Sequence, residues 1–292
     1  MGADLLAEGR AESPGAATIV NAMATGRGAA FAIGLKVTAT VRLIDGGGIS
    51  GTAGAEGRED PLLIEECVRR MLKLFDCGYG AEIETESNLP VARGLSSSSA
   101  ASNAAVLATA AALEKLGYDV PDDERLIDLG IDSSIECGVT VTGAFDDASA
   151  SYFGGAVVTD NTSREILRKE DMPSLEVVIL CPHAKSYSGR ADVDAMKLLA
   201  PQVEIAHREA CEGDLLKAMT LNGLIYCASI GFEPRPALAA LEAGAMASGL
   251  SGKGPAFVAV TEDGRSVAES WAEFEGDVII TETSNTGSKV LR

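Results

Sequence analysis

The sequence predicts an α+β protein of two subdomains, and three observations carry that prediction. Apolar and alternating runs fill the chain up to Leu43, helical spacing begins at Pro61, and helices and strands interleave from there onward. Residues 159–172 are polar and charged and close at Pro173, a composition shift that separates an expected first domain, 1–165, from a second, 166–292. Between a strand-like run and an alanine-rich one lies Pro90-Val91-Ala92-Arg93-Gly94-Leu95-Ser96-Ser97-Ser98-Ser99-Ala100, a loop-to-helix junction around which the rest is organised.

Taken in order, residues 16–24, 29–35 and 37–43 read as strands separated by the turns Thr25-Gly26-Arg27-Gly28 and Gly34. The glycine-rich stretch 45–57 is an expected exposed hairpin or loop. Over 61–77 the residues Leu62, Leu63, Cys67, Val68, Met71, Leu72 and Phe75 recur at helical spacing, with Pro61 suited to a first turn and Gly78 to a C-terminal stop. Residues 81–85 alternate as a strand, and 104–113 form a helix with almost no breaker. A second helix covers 122–136, and 138–143 leads into Ala144-Phe145-Asp146-Asp147-Ala148 on a loop, followed by an apolar run that contains Gly154-Gly155. Beyond the boundary, 175–181 is a buried-type strand and 182–190 a loop. Helices are expected at 192–199, 201–211, 214–229 and 236–248, then a glycine-rich turn, a strand at 256–260, a helix at 265–274 and a strand at 277–281.

With 292 residues, 46% of them hydrophobic, the chain can bury a substantial core. No apolar run approaches the roughly eighteen residues that a membrane helix requires. Residues 1–12 carry Asp4, Glu8 and Glu12 and lack a basic region followed by an apolar one, so no secretory leader is expected and a cytoplasmic location is. Lysine and arginine number 24 against 43 acids, a net charge of −19, which disfavours nucleic acid and anionic membranes as partners. An anionic substrate must then be drawn in by a local positive site, for which magnesium and a helix N-terminus are the means. Cys67, Cys77, Cys137, Cys181, Cys211 and Cys227 show no C-x-x-C spacing, so free thiols are expected rather than disulfides or a zinc site. His207 falls in a charged helical stretch where a surface position is expected.

At the serine junction an anion is favoured. The first N–H groups of a helix lack intrahelical partners, and the helix dipole adds about half a positive charge there. Gly94 permits a turn and close approach to the backbone, while the hydroxyls of Ser96 to Ser99 offer donors to phosphate and oxygen ligands to magnesium. An isolated Gly-Leu-Ser-Ser is more often an N-cap or linker, but two further segments accompany this one. Asp146 and Asp147 are adjacent, near Phe145, Tyr152 and Phe153, and precede Gly154-Gly155; a solvated turn is the bland alternative. Phosphoryl transfer uses such a carboxylate to orient or deprotonate an acceptor hydroxyl. The third segment is Leu250-Ser251-Gly252-Lys253-Gly254-Pro255.

In this order the three segments resemble the motifs of the GHMP kinases, the superfamily of galactose, homoserine, mevalonate and phosphomevalonate kinases, over nearly the whole chain. Residues 90–100 are similar to Pro-x-x-x-Gly-Leu-x-Ser-Ser-x-Ala, with Ser96 where the superfamily usually has Gly and Ser99 where it has Ala. The longer serine tract, the segments 138–148 and 188–194, and the stretch from Asn21 to Phe31 look like the archaeal-type shikimate kinase branch. No Walker A sequence occurs in the chain.

The resemblance implies a GHMP kinase fold, an N-terminal domain like the second domain of ribosomal protein S-five packed on a ferredoxin-like C-terminal domain. It implies ATP and Mg2+, with the nucleotide held by Pro90, Arg93, Gly94, Leu95, Ser96, Ser97, Ser98, Ser99 and Ala100 and by Ser251, Gly252, Lys253 and Gly254. Lys253 stands where a small residue is usual. Magnesium falls to Ser98 and a carboxylate, for which Glu136, ten residues before Asp146, is the candidate, an exposed helix-end residue being the alternative. Counting back from Gly154, Asp147 has the mevalonate-kinase spacing and Asp146 the homoserine-kinase spacing; Asp146 is the favoured base, and both stand. Asn21, Thr25, Gly26, Arg27 and Arg190 are the expected acceptor-side residues. The implied reaction is phosphorylation of the 3-hydroxyl of shikimate, on the route to chorismate and the aromatic amino acids. Its rivals are another small-molecule GHMP kinase, for homoserine or mevalonate, and a non-catalytic ligand-binding member.

Overall fold

Two long antiparallel strands form the spine of the structure, a computed structural model that describes residues 4–54, 59–140, 143–183 and 193–292. They are β1 (Leu5–Val20) and β2 (Arg27–Ile44). From Val37 onward β2 alternates buried and half-buried residues, the pattern of a strand covered on one face, whereas Gly28 to Ile33 are buried without interruption because layers pack on both faces there. Gly34 is therefore not a turn. It lies inside β2, where a β-carbon would stand 2.6 Å from the Thr281 hydroxyl, so close approach of another strand explains the glycine.

The first sheet is completed by β3 (Ile49–Thr52), β4 (Gly80–Ser87), β5 (Ala156–Asp160), β6 (Glu165–Glu170) and β11 (Lys289–Leu291). Its order is β11-β1-β2-β4-β3, with β5 paired to the other end of β2 and β6 to β5. The stretch expected to be loop at 45–57 thus contains a short strand parallel to β4. Pairing of β6 with β5 carries the first sheet to Glu170, beyond the boundary expected at 165, and the C-terminal residues return to pair with β1.

Four helices cover one face of this sheet: α1 (Leu62–Leu74), α2 (Ser97–Lys115), α3 (Asp123–Glu136) and α4 (Phe145–Phe153). In α1 the buried side is Leu63, Ile64, Cys67, Val68, Met71 and Leu72, close to the expected face except that Leu62 is exposed. α2 is buried nearly all round, which its small residues allow by letting β1 and the flanking helices approach closely. Asp122 caps α3 by accepting from the Arg125 N–H at 3.0 Å.

The second sheet, β10-β7-β9-β8, is antiparallel and comprises β7 (Glu176–Cys181), β8 (Ala247–Leu250), β9 (Phe257–Thr261) and β10 (Asp277–Glu282). Its helices are α5 (Val193–Leu198), α6 (Ala200–Glu212), α7 (Leu215–Ile230), α8 (Arg235–Glu242) and α9 (Gly264–Ser270). The helix expected over 236–248 ends at Glu242, and 247–250 is strand, paired with β9. Residues Ala17, Ile19 and Val20 of β1 share one core with Val177 to Leu180 of β7, so the two sheets meet across a common apolar layer. All six cysteines are free, and among the described residues no helix is long and apolar enough to cross a membrane.

Candidate active site

A cleft of about 430 Å³ opens where the end of β1, the loop before α2, the start of α4 and the turn after β8 converge. Its walls include Asn21, Gly94, Ser96 to Ser99, Asp146, Asp147 and Gly252 to Gly254. The three segments singled out in the sequence therefore face one space.

The serine junction is built to leave the N-terminus of α2 open. Ser96, the N-cap, adopts a left-handed conformation (φ 56°, ψ 32°) and makes no capping bond; its hydroxyl donates instead to the Ala16 carbonyl at 3.2 Å. A left-handed residue at this position is the physical reason that glycine is usual there. Ser97, Ser98 and Ser99 occupy the first turn, where backbone N–H groups have no intrahelical partner. Gly94 is also left-handed (φ 81°), and its Cβ position would lie 2.2 Å from the Ser251 carbonyl. Around it Ser251 donates to the Gly94 carbonyl at 2.7 Å and accepts from the Thr18 N–H, while the Thr18 hydroxyl accepts from the Gly252 N–H at 2.9 Å. These bonds knit β1, the cradle and the β8–β9 turn into one unit.

Asp146 and Asp147 are not on a loop; they open α4, behind the left-handed Ala144 (φ 47°). At a helix start the dipole favours carboxylates, and both stand in the first turn. Asp146 is buried, accepts from the Asn161 side-chain amide at 2.8 Å, and lies over Gly28, where a β-carbon would be 2.3 Å from Oδ2. Burial raises its pKa, opposed by the Asn161 amide and by first-turn N–H groups. Burial and the neighbouring Asp146 charge push Asp147 up further, with the Ser96 hydroxyl in opposition. Oδ1 of Asp147 is buried and has no hydrogen-bond partner among the described residues. A buried carboxylate oxygen left open beside serine hydroxyls is a setting that suits a hard cation with few protein ligands, as magnesium is.

The remaining expected residues divide sharply. Asn21 lines the cleft, but its amide is engaged, donating to the Gly252 carbonyl at 2.8 Å and accepting from the Met23 N–H at 2.9 Å. Leu95 and Ala100 point into the core, so only their backbone belongs to the cradle. Arg93 turns away and donates to the Pro182 carbonyl at 2.7 Å. Pro90 is half-buried, and neither it nor Thr25, Gly26 or Arg27 lines the cleft; Arg27 is exposed and faces Asp160 at 3.8 Å. Glu136 is corrected most clearly: it is 71% exposed, faces Arg70 at 3.8 Å and belongs to a different surface depression between α1 and α3. An exposed end-of-helix carboxylate there cannot serve a metal at the cradle. Arg190, with Ser186, Tyr187 and Ser188, lies outside the described residues.

Sequence reasoning missed Thr18, Thr159 and Asn161. The last two sat in the polar stretch taken as a domain boundary, and nothing in their local pattern ties them to a segment more than ten positions away. His207, expected at the surface, is buried, and burial holds its pKa below the ordinary value.

A second, mostly apolar cavity of about 350 Å³ adjoins the cleft and shares Val91, Ser97, Ser98 and Val139 with it; Val37, Leu63, Ile64 and Ala101 form its far side.

Residues 63–155 match the family described as GHMP kinases N terminal domain. The chain is 49% identical over 282 residues to the shikimate kinase of Methanothermobacter thermautotrophicus, covering 96% of each protein. It is 41% identical over 288 residues to that of Halobacterium salinarum, covering 97% of this chain and 99% of the relative. Among solved structures it is similar to homoserine kinase from Cytophaga hutchinsonii, with a TM-score of 0.74 at 19% identity, covering 100% of this chain and 99% of the other. Methanococcus jannaschii mevalonate kinase gives 0.74 at 15% identity over 99% of each chain. These two likenesses establish the GHMP kinase fold.

Proposed function

The chain belongs to the archaeal shikimate kinases of the GHMP kinase superfamily, and from that premise we propose that it transfers the γ-phosphate of ATP to the 3-hydroxyl of shikimate, giving shikimate 3-phosphate and ADP. The observation that carries the reading is the meeting, in one cleft, of an uncapped helix N-terminus rich in hydroxyls with the buried pair Asp146 and Asp147.

On this reading the first-turn N–H groups of α2 and the hydroxyls of Ser97, Ser98 and Ser99 bind the phosphates, assisted by Lys253, the cation lining the cleft among its described residues. The adjoining apolar cavity takes the nucleoside. Magnesium, when bound, neutralises phosphate charge and the charge that develops on the leaving oxygen. Asp147 and Ser98 would hold it, since Asp147 offers the free oxygen and Glu136 lies elsewhere. Asp146 accepts the proton of the acceptor hydroxyl, or orients that hydroxyl, from a carboxylate fixed by Asn161. The acceptor's carboxylate needs a cation, for which Lys253 and Arg190 are the proposed partners. A cytoplasmic location, where ATP is supplied, is part of the same reading.

The test is ADP release by the purified protein with ATP and magnesium, offering shikimate, homoserine and mevalonate separately at low and high potassium chloride. Turnover with shikimate alone is expected. Turnover with homoserine or mevalonate instead would overturn the acceptor assignment, and absence of turnover in all wells would favour a non-catalytic member.

A further inference from the structure

We propose that Asn161 is a positioning residue for Asp146, and that Thr159 and His207 form the support that locks it. The inference rests on Asp146 as the carboxylate that handles the acceptor proton.

Asn161 follows β5 and is buried, its backbone N–H anchored to the Gly26 carbonyl at 2.8 Å. Its side chain spans two neighbours of opposite character. Nδ2 donates to Asp146 Oδ1 at 2.8 Å, and Oδ1 accepts from the Thr159 hydroxyl at 2.6 Å. That hydroxyl also faces the Gly28 carbonyl at 3.3 Å, in the strand over which Asp146 is packed. Turning the Asn161 amide over would set its oxygen against the Asp146 carboxylate, so the Thr159 donor and the Asp146 acceptor together admit one orientation.

Thr159 is itself held from the second layer. Its carbonyl can only accept, so His207 Nε2, 3.3 Å away, carries the proton and donates. Nδ1 is then the acceptor for the Cys211 thiol at 3.6 Å. A continuous chain of contacts thus runs from α6 through Cys211, His207, Thr159 and Asn161 to one oxygen of Asp146. Oδ2 lies over Gly28, with Oδ1 occupied by Asn161. In a buried network a single missing donor is felt throughout, because the group left behind is desolvated and unpaired.

The proposal is tested by steady-state kinetics on the full chain for Thr159→Val, Thr159→Ser, Asn161→Ala, Asp146→Asn and the double variant Asn161→Ala with Asp146→Asn. Thr159→Val keeps shape and removes the hydroxyl; kcat is expected to fall by about ten- to a hundredfold, with KM for ATP within about twofold. Thr159→Ser restores the donor and is expected to recover most of kcat. Asp146→Asn is expected to lose roughly a hundredfold or more, and the double variant to be no worse than Asp146→Asn alone, since one positions the other. Wild-type kcat in Thr159→Val and Asn161→Ala, beside a dead Asp146→Asn, would overturn the positioning role and leave the base in place. An active Asp146→Asn would remove the base reading and the proposal with it. Should Asn161→Ala fail to fold, the Val and Ser variants of Thr159 decide the question between them.

Discussion

The carbonyl of Gly94 accepts a 2.7 Å hydrogen bond from the Ser251 hydroxyl, and its Cα lies so near the Ser251 backbone that a β-carbon would stand 2.2 Å from that carbonyl oxygen. The cradle before α2 and the β8–β9 turn are therefore one object, although 157 positions separate the two residues. A ligand held by one is held against the other.

Gly94→Ala should damage nucleotide binding before it damages the fold. A left-handed alanine costs about 1–2 kcal/mol, and the clash with Ser251 adds to this by parting the two loops. KM for ATP should rise by about tenfold or more, the equivalent of 1.4 kcal/mol, while the core sheets, remote from the loop, keep cooperative unfolding. Kinetics with varied ATP and a thermal melt check this; an unchanged KM would show that the two loops need not touch.

Glu136→Gln should be silent. The side chain is 71% exposed and its contact with Arg70 is 3.8 Å, a surface pair of about 0–1 kcal/mol. The magnesium concentration for half-maximal activity should match wild type, whereas Asp147→Asn should raise it. A magnesium requirement that shifts with Glu136→Gln would return that residue to the site.

The contrast between those two carboxylates shows what was legible in the chain. Local pattern singled out the serine junction, the aspartate pair and the glycine-rich turn, which the fold brings to one cleft, because each is a run of a few consecutive residues. Spacing along the chain could not tell that α3 ends on the far side of its own helix layer, and so Glu136 was misplaced. Asn161 was invisible for the converse reason, since its partner Asp146 meets it only through pairing of β5 with β2. Gly34 reads as a break because glycine usually is one; the packing of β10 against β2 overrides that preference. His207 reads as exposed beside charged neighbours, but it falls on the buried face of α6 with Val203, Ala206 and Ala210, against Thr159.

Asn21 distinguishes a latch from a substrate contact. Its side chain ties the end of β1 to Gly252, and its carbonyl accepts from the Tyr226 hydroxyl at 3.0 Å. Asn21→Ala removes the donor to the half-buried Gly252 carbonyl, a loss of about 1 kcal/mol, and frees the Gly252 turn. KM for ATP and KM for the acceptor should rise together. A rise confined to the acceptor would show that the residue contacts that substrate directly.

The aspartate pair sets a pH dependence of opposite sign to that of ordinary carboxylates. Burial raises both pKa values above the usual 3.8, and the Asp146 charge raises that of Asp147 further. A raised value in the folded state means that the native protein binds protons more tightly than the unfolded chain. Stability from these groups is therefore present below the unfolded value and is lost as pH rises through the folded one. At neutral pH, without nucleotide or magnesium, the pair opposes folding, and Asp147→Asn, which removes one titrating carboxyl, should melt at a higher temperature than wild type. The difference should shrink as pH falls toward the ordinary value of 3.8, as the wild-type pair takes up protons. Excess magnesium and ATP should narrow it from the other side, by stabilising the wild-type carboxylate alone. Melting curves of both proteins across this range, with and without ligand, check the sign; a variant less stable than wild type at neutral pH would mean that Asp147 is already satisfied in the free protein.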